Sequence, residues 1–152
     1  MSEPCEEIQR DTKLGLEVGE GFPRRAHVVF GNHTSAPLWF PEESEPGYHF
    51  DKESGTVTVS FGFFEELYGR YRAQYMIPPM RAVAPGREYR LEIKDRDLVA
   101  RLSEADVRAR LQARVALKAI EHSNVRGGQD LDSYLRESCV VTYPRPGAQG
   151  AR

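Results

Sequence analysis

Apolar and polar positions alternate along most of this chain, and the alternation marks one short strand after another. Leu14, Leu16 and Val18 alternate with Lys13, Gly15 and Glu17 ahead of a Gly19-Glu20-Gly21 break. Ala26, Val28 and Phe30 share one face of a second strand, which the turn cluster Gly31-Asn32-His33-Thr34 ends. Pro37-Leu38-Trp39-Phe40-Pro41 is an apolar piece bracketed by prolines, the mark of an edge strand or of a segment that crosses between sheets. Tyr48-His49-Phe50 and Thr56 to Phe61 flank a connection of hairpin length, Asp51-Lys52-Glu53-Ser54-Gly55.

The stretch from Met76 to Ile93 reads as an extended segment, a turn and a strand. Pro78-Pro79 forbids a helix, because consecutive amide donors are missing and the preceding residues are held extended. Pro85-Gly86 pairs a fixed φ with a residue that tolerates positive φ. Tyr89, Leu91 and Ile93 then alternate with Arg90, Glu92 and Lys94.

Two regions set helix against strand. Phe63 to Gln74 lines up Phe64, Tyr68 and Tyr71, with Tyr75 just beyond, on one helical side, with Gly69 against it, and predicts a helical turn or two inserted between strands. Residues 101 to 124 have helix-forming composition, yet Ala109, Leu111, Ala113, Val115, Leu117 and Ala119 all fall on odd positions. That period predicts a short helical turn at Ser103 to Arg108 followed by a long strand. A further helical turn is expected at Asp130 to Arg136, and a last strand at Ser138 to Tyr143, stopped by Pro144 and Pro146.

Eight or so short strands between Gly and Pro turns predict an all-β protein: an antiparallel β-sandwich with one or two short helical insertions. Val28 to Thr34, with the proline-glycine turn before Tyr89, resembles the general pattern of immunoglobulin-like sandwiches. The Cys…Trp…Cys spacing of that group is missing, since Cys5, Trp39 and Cys139 stand too far apart. The expected organisation is a flexible acidic tail over residues 1–10, one sandwich domain over 11–146 and a flexible tail over 147–152.

Composition narrows the class. With 152 residues, 39% apolar and 29% charged, the chain can build a core without metals or disulfides. No apolar run is long enough to span a membrane, so no insertion is expected. The start, MSEPCEEIQRD, has neither the basic nor the apolar region of a secretory signal. Cys5 in an acidic tail and Cys139 in a strand read as two free thiols, with no disulfide, in the cytoplasm. On that location the Asn32-His33-Thr34 glycosylation triplet carries no meaning.

Candidate chemistry is sparse. His27, His33 and His49 are candidate metal ligands, but no HxH or HExxH spacing fixes a geometry, and neither metal nor cofactor is predicted. Cys139 in an apolar strand is an inert thiol, no serine sits in a G-x-S-x-G elbow, and the adjacent Glu65 and Glu66 diverge. No catalytic residues are assigned, and the balance points away from an enzyme. Arginine supplies seventeen of the 21 basic residues, yet acids are interleaved with them and no nucleic-acid motif appears.

Aromatic density is the stronger signal. Ten of the fifteen aromatic residues fall between Trp39 and Tyr75. A patch of Trp39, Phe63, Phe64, Tyr68, Tyr71 and Arg72 has the residue mixture of binding hot spots. Open sheet edges offer a second route to association through their unpaired amides and carbonyls. The expected function is therefore a protein-interaction or structural module, with a protein partner or self-association. The alternative is a small-molecule or carbohydrate binder, hydrolytic in one version, with an aromatic-lined pocket.

Overall fold

Nine strands and three helices form among residues 3–64, 77–119 and 128–145, the part of the chain that the computed structural model describes. The strands are β1 (Thr12–Val18), β2 (Ala26–Asn32), β3 (Leu38–Pro41), β4 (Gly47–Asp51), β5 (Thr56–Phe61), β6 (Met80–Val83), β7 (Glu88–Ile93), β8 (Arg108–Ala116) and β9 (Ser138–Tyr143). The helices are α1 (Glu3–Asp11), α2 (Arg96–Leu102) and α3 (Gly128–Arg136). Three strands make one sheet in the order β1-β2-β7. Six make the other, in the order β4-β5-β8-β3-β6 with β9 paired to β8. None of the described helices is long and apolar enough to cross a membrane.

The result is a mixed α/β domain with two packed sheets rather than an all-β, wholly antiparallel sandwich. β5 and β8 run parallel, from Thr56 opposite Arg108 to Phe61 opposite Ala113. Alternation within a strand reports its two faces and says nothing about the direction of its neighbour. The long connection between β5 and β8 gives the chain room to cross over and return in the same sense. With one parallel pair and three helices, the sheets do not establish the immunoglobulin-like arrangement.

Period-two reading succeeds at β8, where Leu111, Ala113 and Val115 are fully buried. The helical turn expected at Ser103 to Arg108 lies earlier in the chain, as α2. Asp95 caps that helix by accepting the Leu98 N–H at 3.2 Å, and Leu98, Val99 and Leu102 form its buried face. Ser103, read as a start signal, is the stop: its hydroxyl donates to Val99 O at 2.7 Å. The predicted turn at Asp130 to Arg136 is present within α3. Expected helical turns over 63–75 fall mostly on residues 65–76, outside the described part, as does the C-terminal tail.

The N-terminal segment expected as a flexible acidic tail forms α1 and continues directly into β1. Cys5 and Ile8, three positions apart, share one face of the helix, and Ile8 is 4% exposed in the main core. Two apolar residues among so many charges make a weak sequence signal. The expectation of free thiols is overturned as well, since Cys5 and Cys139 form a disulfide with an S–S distance of 2.00 Å. The bond joins α1 to β9 across 134 positions, a proximity that neither residue's local context reveals. It also removes the free-thiol argument for a cytoplasmic location.

Both sheets contribute to one core, in which Phe30 of β2, Phe40 of β3 and Phe61 of β5 are packed in series at ring-centroid distances of 5.1 and 5.7 Å. Pro85-Gly86 makes a turn with Arg87 N–H donating to Ala84 O at 3.0 Å and Gly86 at φ +78°. It is not a hairpin turn: β6 and β7 on its two sides belong to different sheets. Asn32 ties this crossing together. Its amide donates to Val83 O at 2.8 Å and Ala36 O at 3.0 Å, and its carbonyl accepts from Thr34 N and Oγ1 at 2.9 and 2.7 Å. Asn32 is fully buried with every polar position of its side chain used, so its triplet is a folding element and not a glycan acceptor.

Candidate functional site

Among the described residues β1 occupies the end of the three-stranded sheet and is paired there on one side only. Which backbone groups face outward follows from the hydrogen bonds at its base. His33 N–H donates to Asp11 O across the β1–β2 ladder at 2.8 Å, while Asn32 N–H turns the other way, to Arg87 O, at 2.9 Å. Alternation in an antiparallel pair then turns the N–H and C=O of Lys13, Gly15 and Glu17 toward β2. Those of Thr12, Leu14, Leu16 and Val18 point to the outer edge. Thr12 fits the assignment, because its carbonyl accepts from Arg145 Nη2 at 2.8 Å. Side chains sort independently: Leu14 is buried, Leu16 and Val18 are half-buried against the core, and Lys13 and Glu17 are exposed.

Two hollows adjoin this edge. A cleft of about 740 Å³ runs between residues 9–14 and residues 140–145, with His33 at its side. A smaller hollow of about 240 Å³ lies over Gly15, Val29 and Gly31 on the outer face, beside Leu16, Glu17 and Glu88. Lys13 and Tyr143 line both. A Cβ built on Gly15 would meet nothing within 4 Å, so the hollow is open where that side chain is missing. The cleft carries Arg10, Lys13, His33 and Arg145 against one carboxylate, Asp11. Asp11 is already paired with Arg10 at 3.1 Å, and that hydrogen-bonded guanidinium holds its carboxyl below the usual range. At the far side Gln9 Nε2 donates to Val140 O at 2.8 Å, so α1 covers part of β9.

Of the residues singled out by their aromatic density, Trp39, Phe63 and Phe64 are among those the structure describes. Phe63 and Phe64 are 1% and 5% exposed; Phe63 packs with Ile77, Leu131 and Tyr134 in a second small core, and Phe64 lies beneath the Arg114 guanidinium at 5.0 Å. Trp39 is half-buried in β3, opposite Ala82 of β6 and Ala116 of β8. Tyr68, Tyr71 and Arg72 lie outside the described residues. Of the metal candidates, His27 lies on β2, His33 follows that strand and His49 lies on β4 of the other sheet. Among the described residues no group of three or more His, Cys, Asp or Glu is placed to hold an ion. Tyr143 supplies the cleft's one phenyl-type ring, and the aromatic segment expected to wall a pocket lies mostly outside the described residues.

Among the described residues, one buried carboxyl is pushed well above its usual range. Glu43, in the loop after β3, accepts a hydrogen bond from Gly62 N–H, and burial pushes its carboxyl up to about 7 despite that bond. Gly62 stands at φ +97°, and a Cβ there would come within 2.6 Å of the Tyr134 hydroxyl, so only glycine fits beside Glu43 and Tyr134. Neither of these two hollows is lined by Glu43, and its shift bears on stability. The unfolded carboxyl ionises near its ordinary value, so stability falls as pH rises from there through about 7. Glu43→Gln is expected to stabilise the protein at pH 8 by on the order of 2–3 kcal/mol, with little difference at pH 4. Urea unfolding at the two pH values measures this; an equal effect at both would contradict it.

Sequence reasoning found β1 as a strand but not as an edge, because strand order is not written in alternation. The signal that was present is the run of Lys13, Gly15 and Glu17 on its outward face, two opposite charges about a glycine. Set against protein-family models, curated proteins and solved structures, the chain matches none of them, and the reading of this edge rests on its geometry.

Proposed function

We propose that the protein is an interaction module that takes up an extended strand along the outer edge of β1. The observation that carries this is the side of β1 left unpaired among the described residues, where alternation turns out the N–H and C=O groups of Leu14, Leu16 and Val18. Half-buried Leu16 and Val18 would complete their burial beneath an added strand, and the flanking hollows accept its side chains on either face. Affinity on this reading comes from main-chain hydrogen bonds, and selectivity from the charges beside the edge.

Linear peptides selected for binding from a random library, titrated into ¹⁵N-labelled protein, are expected to perturb the amides of residues 14 to 18. Leu16→Pro removes one outward donor without breaking the ladder to β2, a position where an edge strand accepts proline. It should weaken the peptides by about tenfold, on the order of one main-chain hydrogen bond in a dry contact. Peptides that land on β3 around Trp39, and bind the Leu16→Pro variant unchanged, would remove β1 as the contact surface.

A further inference from the structure

We infer that the strand added to β1 is β1 of a second copy of this chain, the two running antiparallel about a two-fold axis through Gly15. This rests on the reading of β1 as the contact edge and names its partner. Two antiparallel strands meeting edge to edge pair residues that face the same way, so every hydrogen-bonded pair joins two residues whose backbone groups turn to the shared edge, and on β1 those are Thr12, Leu14, Leu16 and Val18. Centring on Gly15 satisfies this, since it sets Leu14 against Leu16 of the second copy and Leu16 against Leu14. Each such pair exchanges two main-chain hydrogen bonds.

The same register places Lys13 opposite Glu17 of the second copy, and Glu17 opposite Lys13, on the exposed face. Shifting the centre by one residue toward Leu14 sets Glu17 against Asp11, a like-charge pair. Shifting it toward Leu16 leaves both Lys13 and Glu17 without an opposite charge. Of the three neighbouring registers that obey the backbone rule, only the one about Gly15 is matched in charge throughout. At the axis the two glycines meet with no side chains between them, where the hollow over Gly15 is open. Glu17 already accepts from Arg90 at 2.6 Å, and its carboxylate, 58% exposed, has lone pairs left for a lysine. A lysine on an edge strand ordinarily guards against unwanted pairing. Here an antiparallel copy turns the guard into a partner and joins the sheets as β7-β2-β1-β1-β2-β7.

Sedimentation equilibrium from low micromolar to millimolar concentration tests this. The protein as it stands should pass from monomer to dimer. Lys13→Glu and Glu17→Lys, each alone, set like charges against each other twice across the axis and should weaken the dimer by at least about tenfold. Both sites are exposed, so the fold should survive either change. The double variant Lys13→Glu/Glu17→Lys should regain dimerisation, and so should an equimolar mixture of the two single variants, as a heterodimer. A dimer indifferent to the charge swaps would overturn the register. A monomer at every concentration whose β1 still takes up selected peptides would overturn the second copy as partner and leave the edge standing. A monomer on which peptides also fail to reach β1 would take the edge with it.

Discussion

Serine at both Cys5 and Cys139 is expected to lower the thermal midpoint by roughly 10 °C. The bond closes a loop of 134 positions, nearly the whole chain, and its loss returns that freedom to the unfolded state. In the chain-entropy account such a loop is worth about 4–5 kcal/mol, and engineered cases deliver somewhat less. The folded state loses an anchor too. A nine-residue helix is too short to persist by itself, and without the bond α1 depends on Ile8 in the core, Gln9 on Val140 O and Arg145 on Arg10 O. Calorimetry of the oxidised protein, the reduced protein and the double serine variant makes the comparison. The last two should melt together and below the first; three equal midpoints would mean that packing alone holds α1.

Asn32→Ala should cost about 3–4 kcal/mol. Four hydrogen bonds disappear, and the buried carbonyl of Val83 loses its side-chain donor at a site where Asn32 itself is fully buried. Asn32→Asp keeps the shape and separates the effects. It retains the acceptor for Thr34 but turns a carboxylate toward two carbonyl oxygens. Burial and those oxygens favour its protonated form, so the folded pKa is raised. The penalty should therefore be largest at pH 7 and shrink as pH falls below the ordinary carboxylate range, where the carboxyl can donate again. Urea unfolding of both variants at pH 7 and pH 4 gives the test. A cost below 1 kcal/mol for Asn32→Ala would mean that water replaces the amide and that the crossing between β6 and β7 holds without it.

Local alternation made β1, β2, β5, β7, β8 and β9 legible, because one face of each meets the core and period two is a strong signal over even six residues. What remained hidden depends on partners distant in sequence. The parallel pairing of β5 with β8 follows from a crossover, and the Cys5–Cys139 bond from α1 lying on β9. α1 itself was masked by its charges. α2 was displaced because Ser103 and Asp95 both look like helix starts, and the apolar set Leu98, Val99 and Leu102 decides between them. Two residues of the aromatic patch, Phe63 and Phe64, are buried for a related reason. Aromatic residues crowd together in sequence both when they form a surface and when they fill a core, and Phe63 and Phe64 fill the core. Lys13, Gly15 and Glu17 become a site only once β1 is known to end its sheet.

Amide hydrogen exchange along β1, followed by NMR across a dilution series, tests that outer edge most directly. In dilute protein the amides of Gly15 and Glu17, bonded to β2, should be protected, while those of Leu14 and Leu16 exchange freely, and protection at the latter two should rise with concentration. Uniform protection from residue 13 to residue 17 at every dilution would show that the edge is already covered within the single chain, and would contradict the account.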